Sequence, residues 1–268
     1  MTDAADATQD GSAGTPPEAA RAPAGLRDSA GRRYLAEAHR LVERLAGDEW
    51  PNVDAAAGLV ADALAGGGEV HAFGTGHSHM LAEELFYRAG GLVQVRPVLF
   101  EGLMLHADAE LSTTLERLPG LAAAILEHHP MATGDVLIVA SNSGGNAVVA
   151  ELAGLARARG VRVVAIVSRA HAASTIARAF GNANLRDIAD VVIDNGGATG
   201  DAAVAIAGLA RRVGPTSTVV GSAAVNAIVA EAAERLVARG IQPDVFLSSN
   251  IEGGDEANSR LLRQEPPR

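Results

Sequence analysis

The chain has 268 residues, 48% hydrophobic, 3% aromatic and 20% charged, with a formal net charge of −10, which suits one domain with a sizeable core plus a tail. Acidic charge without any Lys/Arg cluster argues against a nucleic-acid partner, and the lack of cysteine excludes disulfides, thiolate nucleophiles and thiolate zinc sites. Neither a signal-peptide pattern nor a bilayer-length apolar run occurs, so a cytoplasmic protein with no membrane partner is expected.

Residues 1–29 are rich in Ala, Asp, Gly, Pro and Thr, and read as a disordered tail ahead of one domain over 30–268. Leu35, Ala38, Leu41 and Leu45 recur at helical spacing, as do Val53, Ala57, Val60 and Leu64, and they predict two helices. Short apolar runs then alternate with helical segments. Strands are expected over 69–74, 92–99, 135–140, 161–168 and 190–194, and helices over 78–90, 112–127, 145–159 and 173–179. Such alternation predicts a parallel sheet wrapped by helices. Ala-rich stretches predict two more helices over 201–212 and 217–238, followed by DVFLSS and a final polar segment.

In such sheets the ligand sits beyond the carboxyl ends of the strands. Two loops there are unusual: Gly74-Thr75-Gly76-His77-Ser78 and Ser141-Asn142-Ser143-Gly144-Gly145-Asn146. Both place glycines and hydroxyls at a strand-to-helix turn, where free amides and the helix dipole favour an anion. GTGHSHM lacks the third glycine of the dinucleotide fingerprint, and no acid ends the second strand to hold a ribose. No cofactor is therefore expected. One serine would suffice to cap the helix after the second loop, whereas Ser-Asn-Ser-Gly-Gly-Asn offers several donors and suits a tetrahedral oxyanion such as phosphate.

The segment DVLIVASNSGGNAVVAELAGLARARGVRVVAIVS resembles the central motif of SIS (sugar isomerase) domains, in which a strand ends in Ser-x-Ser-Gly and the hydroxyls hold a sugar phosphate. The likeness runs from about residue 30 to about residue 240. GTGHSHMLAEELFYRAG is similar to phosphoheptose isomerases, which carry Gly-Ser-His after the first strand and then Ala-Glu-Glu-Leu-x-x-Arg on a helix; here the two elements are about one turn closer. The resemblance implies a three-layer α/β/α domain with a five-stranded parallel sheet of flavodoxin/Rossmann-like form and extra N- and C-terminal helices. It also implies that Gly76, Ser78, Ser141, Asn142, Ser143, Thr216, Ser217 and Thr218 hold the substrate and its phosphate. Glu84 stands where the isomerases have their base, and Arg88 follows.

Aldose–ketose isomerisation through an enediol needs a base that moves a proton between adjacent carbons, which a carboxylate in a cleft can do. Glu84 and Arg88, four apart, share a helix face, so the arginine either orients the carboxylate or binds substrate oxygens; a plain surface pair is the alternative. Glu83 points about 100° away. His77 and His79, with His106 on the next loop, form too weak a pattern for a metal, and proton transfer to a sugar oxygen suits them better. Glu101, directly after the second strand, is a second acid–base candidate.

One departure stands against the isomerase pattern. GPTSTVVGSAAVNAIVAE has Asn226 near the place of a histidine that works with the glutamate, which leaves proton transfer to the second oxygen unassigned. Its Gly214, Thr216, Ser217, Thr218 and Gly221 resemble instead N-acetylmuramic acid 6-phosphate etherases. A lyase of that kind, or a non-catalytic sugar-phosphate sensor, stands as the alternative. Ala-rich helices that one sheet cannot cover suggest a homodimer or homotetramer. Asp255, Glu256 and Asn258 either close over the site or cap the C-terminus.

Overall fold

The computed structural model describes residues 28–174 and 183–264. The tail expected over 1–29 lies outside the described residues up to position 27, as do residues 175–179 of the helix expected near 173–179. Two helices come first, α1 (Ala30–Ala46) and α2 (Trp50–Ala65). Five parallel strands follow: β1 (Val70–Gly74), β2 (Val95–Val98), β3 (Val136–Ala140), β4 (Arg162–Val167) and β5 (Val191–Asp194). Between and after them lie α3 (His79–Leu85), α4 (Ala109–Leu115), α5 (Leu121–His128), α6 (Ala147–Ala158), α7 (Arg169–Ser174) and α8 (Leu185–Ile188).

The strand order is β2-β1-β3-β4-β5, and β1 and β3 are buried along their full length. Runs such as VHAFG and VLIVA suit this position, because a central parallel strand meets helices on both faces. Side chains divide with a period of two. Val136, Ile138 and Ala140 join the core under α1, α2, α3 and the long C-terminal helix, whereas Leu137 and Val139 join the one under α5 and α6. Those two cores, one on each side of the sheet, make the three-layer α/β/α fold. The connection reverses direction between β1 and β3, so the crevice for a ligand opens beyond their carboxyl ends.

Several expected elements differ from those found. The stretch 201–212 is not a helix: β6 (Ala202–Val204) pairs antiparallel with β7 (Val213–Pro215) in a hairpin entered through Gly200 and Asp201, both at positive φ. Left-handed backbone there is incompatible with a helix start, whatever the propensity of the alanines that follow. The helix expected over 78–90 stops at Leu85, with Phe86 extended and Tyr87 at φ 43°. The helix expected over 112–127 is two, α4 and α5, parted at Pro119 and Gly120. Of the strand expected over 92–99, only 95–98 joins the sheet.

Beyond the hairpin run α9 (Ser217–Ala238) and α10 (Gly254–Gln264). Alanines 56, 57 and 61 of α2 and 224 and 232 of α9 are buried, and their small side chains let these helices approach closely. DVFLSS joins no sheet; Phe246 exchanges backbone hydrogen bonds with Gly90 and Gly91, tying the C-terminal segment to the chain before β2. Asn258 is buried and uses both ends of its amide on the Leu247 backbone at 2.9 Å, which anchors α10.

Candidate functional site

β1 ends in a turn so tight that a Cβ at Gly74 would lie 2.4 Å from the Ser78 carbonyl, and backbone cannot yield to it. That turn brings Ser78 to the mouth of the crevice, at the entry to α3. β3 ends in the Ser141–Asn146 loop. Ser141 is buried, and its Oγ accepts from the Gly144 amide at 3.1 Å. Gly144 has φ 61°, and a Cβ there would stand 2.6 Å from Asn184 Oδ1. Asn184 donates to the Ser143 carbonyl at 3.0 Å, and Asn195 donates to Asn142 Oδ1 at 2.7 Å. The loop is thus held from beneath by two buried asparagines while its upper side stays open.

Neither serine caps α6. Asn146 occupies the N-cap position without a side-chain bond, and the amides of Ser143, Gly145 and Asn146 donate to no protein acceptor among the described residues. Clustered free amides around a left-handed residue form a concavity suited to an oxyanion. Ser78, Ser141, Asn142, Asn195, Ser217 and Thr218 line one small cleft at this point, with Leu81, Ala140 and Ile166 behind them. The hydroxyls of Ser78, Ser143 and Thr218 have no protein partner among the described residues.

The start of α9 is arranged differently from the expected anion contact. Asp201 accepts from the Thr216 amide at 3.1 Å, the Ser217 amide at 2.9 Å and the Ser217 hydroxyl. A protein carboxylate therefore already satisfies this helix end, and among the described residues the hydroxyls of Thr216 and Thr218 have no hydrogen-bond partner. Thr216 itself is buried.

Glu84 and Arg88 form an ion pair, although Arg88 lies beyond the end of α3 and reaches back across the reversal at Tyr87. Asn226 of α9 donates to the same Glu84 Oε1 at 2.7 Å and to the Ser222 carbonyl at 2.9 Å. The Asn226 amide thus lies directly beside the glutamate carboxylate. Gly76 has φ 57° in a short 3-10 turn. His79 is buried, with Nδ1 against the Gly76 carbonyl, Nε2 3.7 Å from Glu83 and its ring packed edge-on to His106 at 6.0 Å. His77 and Glu101 are exposed and make no side-chain bond among the described residues. No three His, Asp or Glu side chains among the described residues converge as metal ligands.

Two residues at this edge escaped the sequence reading. Asn195 directly follows β5, the position where strand-end residues are expected to serve ligands, and it supports the Ser141–Asn146 loop. Glu116, at the end of α4, accepts from the Thr75 hydroxyl at 2.8 Å, and no local pattern marks it.

A family model for the SIS domain matches residues 33–168. The chain is 41% identical over 229 residues to the UPF0309 protein lin2794 of Listeria innocua, covering 85% of this chain and 93% of that one. It is 44% identical over 212 residues to the UPF0309 protein BCAN_B0929 of Brucella canis, covering 79% and 86%. The chain is a SIS-domain protein of the UPF0309 family. Solved SIS-type structures share its fold. A phosphoheptose isomerase from Francisella tularensis is 13% identical with a TM-score of 0.51, over 78% of this chain and 98% of that one. NanR of Vibrio vulnificus, solved with ManNAc-6P, is 15% identical with a TM-score of 0.50, over 91% and 72%. In this SIS-domain chain, no helix among the described residues is long and apolar enough to cross a membrane.

Proposed function

We propose that this SIS-domain protein binds a phosphorylated sugar and interconverts its aldose and ketose forms, with Glu84 as the base. The observation that carries the reading is the gathering of Ser78, Ser141, Asn142, Asn195, Ser217 and Thr218 at the cleft of the β1/β3 switch point, beside a loop whose amides at 143, 145 and 146 have no acceptor among the described residues. Such neutral donors hold an oxyanion without a lysine or arginine. Ser141, Asn142, Ser143, Ser78 and Thr218 hold the phosphate, with Thr216 and Ser217 fixing the floor through Asp201. Glu84 takes the proton from the carbon beside the carbonyl and returns it to the neighbouring carbon through an enediol. Asn226 and Arg88 fix its orientation. His79, locked through Nδ1, and His77 serve the sugar oxygens at ring opening, and Glu101 stands at the rim. We place this chemistry in the cytoplasm, in a homodimer or homotetramer without nucleic acid. Met80, Phe86, Tyr87 and Phe100, 39–46% exposed around α3 and the end of β2, offer apolar surface for self-association.

A second reading, a catalytically silent sensor, is favoured by one observation: Glu84 Oε1 already engages both Arg88 and Asn226. One experiment separates the two. Thermal stabilisation by heptose, hexosamine and N-acetylmuramic acid phosphates selects the ligand, and proton NMR in deuterated water follows it. Exchange at the carbon beside the carbonyl, lost in Glu84→Gln, establishes the isomerase, whereas elimination at a neighbouring carbon would identify a lyase. Binding without exchange establishes the sensor, and no stabilisation by any sugar phosphate refutes the phosphate site.

A further inference from the structure

We propose that Glu116 is the second acid–base residue of the site, carrying the proton between the two oxygens of the enediol; the assignment rests on the isomerase reading above. An aldose–ketose exchange needs two proton transfers, one between carbons and one between oxygens, and the second has no owner among Glu84 and its partners.

Glu116 stands at the switch-point edge of the sheet, against the turn that ends β1. Its side chain accepts from Thr75 Oγ1 at 2.8 Å, and Thr75 is a buried residue of the glycine turn that ends β1. Its own carbonyl accepts from the Val148 amide at 3.1 Å, in the first turn of α6, directly after the Ser141–Asn146 loop. The end of α4 therefore ties the turn after β1 to the first turn of α6, the two segments that flank the switch point.

Glu84 and Glu116 come from opposite layers of the sandwich. α3 packs with α2 and α9 through Leu81, Ala82 and Leu85 on one face of the sheet, whereas Leu115, beside Glu116, packs with the core under α5 and α6 on the other. A sugar lying across the crevice thus presents its carbons to one carboxylate and its oxygens to the second. Glu116 forms no ion pair among the described residues. One of its oxygens takes the Thr75 hydroxyl and the other has no partner among the described residues, although the side chain is half-buried.

The step balances without a co-reactant. As Glu84 removes the carbon proton, Glu116 takes the hydroxyl proton from one oxygen of the enediol and delivers it to the oxygen that was the carbonyl. Both carboxylates are regenerated when the carbon proton returns.

The test begins with binding. Protein labelled with ¹³C and ¹⁵N is titrated with fructose 6-phosphate, sedoheptulose 7-phosphate, glucosamine 6-phosphate and N-acetylmuramic acid 6-phosphate, and the Glu116 carboxyl carbon and Ser143 amide are followed. A sugar phosphate that moves both supports the assignment. Movement at Ser143 without Glu116 overturns it and leaves the phosphate site standing; movement at neither overturns both. With the sugar that binds, Glu116→Gln is expected to slow isomerisation about 100-fold at unchanged KM. Deuterium exchange at carbon should fall far less, because Glu84 still forms the enediolate, and Glu84→Gln should abolish both. Equal loss of exchange and isomerisation in Glu116→Gln, or loss expressed through KM, would mark Glu116 as structural and overturn the proposal. Thr75→Val, which keeps the side-chain volume and removes the hydroxyl, should slow isomerisation about tenfold, the worth of one hydrogen bond, also without a change in KM.

Discussion

Replacing Arg44 by methionine should destabilise the fold more than most single substitutions do. The guanidinium lies 3.0 Å from Asp194 Oδ2 and 3.2 Å from Glu49 Oε1, and donates to the Asp194 carbonyl at 3.0 Å. Both carboxylates are buried. Their other partners are neutral: Glu49 accepts from the Asn52 side chain and the Asp194 amide, and Asp194 from the amides of Arg169 and Gly196. Methionine fills a similar volume but leaves two buried negative charges without a cation. Breaking a fully buried pair costs roughly 3–5 kcal/mol. The arginine side chain is 25% exposed, so solvent screening lowers the expectation to about 2–4 kcal/mol. In a domain of this size that corresponds to a fall in Tm of roughly 5–15 °C. Urea and thermal unfolding at pH 7 measure it. Arg44→Met combined with Glu49→Gln should recover part of the loss, since one stranded charge is gone. A loss below about 0.5 kcal/mol, or a double variant no better than the single one, would refute the role assigned to this cluster. The consequence reaches the site, because Asn195 follows Asp194 in the chain and supports Asn142.

Gly144→Ala places a Cβ 2.6 Å from Asn184 Oδ1 on a backbone at φ 61°, so the Ser141–Asn146 loop must shift. Isothermal titration with the sugar phosphate that stabilises the wild type should show at least a tenfold loss of affinity, and an unchanged Kd would contradict the placement of the anion. Burial holds the His71 imidazole below its ordinary range, with the nearby Asp135 carboxylate opposing that shift only in part. Burial likewise depresses His129, helped by the charges of His71 and His128. The unfolded chain then takes up protons that the folded chain refuses, so stability is full above the ordinary imidazole value of about 6.5 and declines as the pH falls below it. Unfolding midpoints between pH 8 and pH 5 should fall accordingly, and His71→Leu should flatten that dependence; a wild type equally stable across the range would count against it.

What was legible in the sequence divides along a physical line. The strands of the sheet centre and the two loops at its active edge were read correctly, because both are local. VLIVA is buried on both faces, and the loop after it needs glycine and small polar residues at fixed positions to turn. The hairpin at 201–215 was not legible: its alanines favour a helix, and what overrules them is the left-handed backbone of Gly200 and Asp201, which lets Asp201 reach α9 fifteen residues on. The Glu84–Arg88 pair was expected from helical spacing and is present for another reason. α3 ends between the two, where Tyr87 packs its ring against Phe246 at 4.9 Å, a contact from the far end of the chain. The partners of the proposed acid–base groups are equally remote: Asn226 stands 142 positions from Glu84, and Thr75 stands 41 from Glu116. The proposed anion binding by backbone amides draws on one contiguous loop, whereas the proposed proton transfer draws on single side chains delivered by separate elements. For a site built in this way, sequence motifs therefore identify the group that is held long before they identify the groups that act on it.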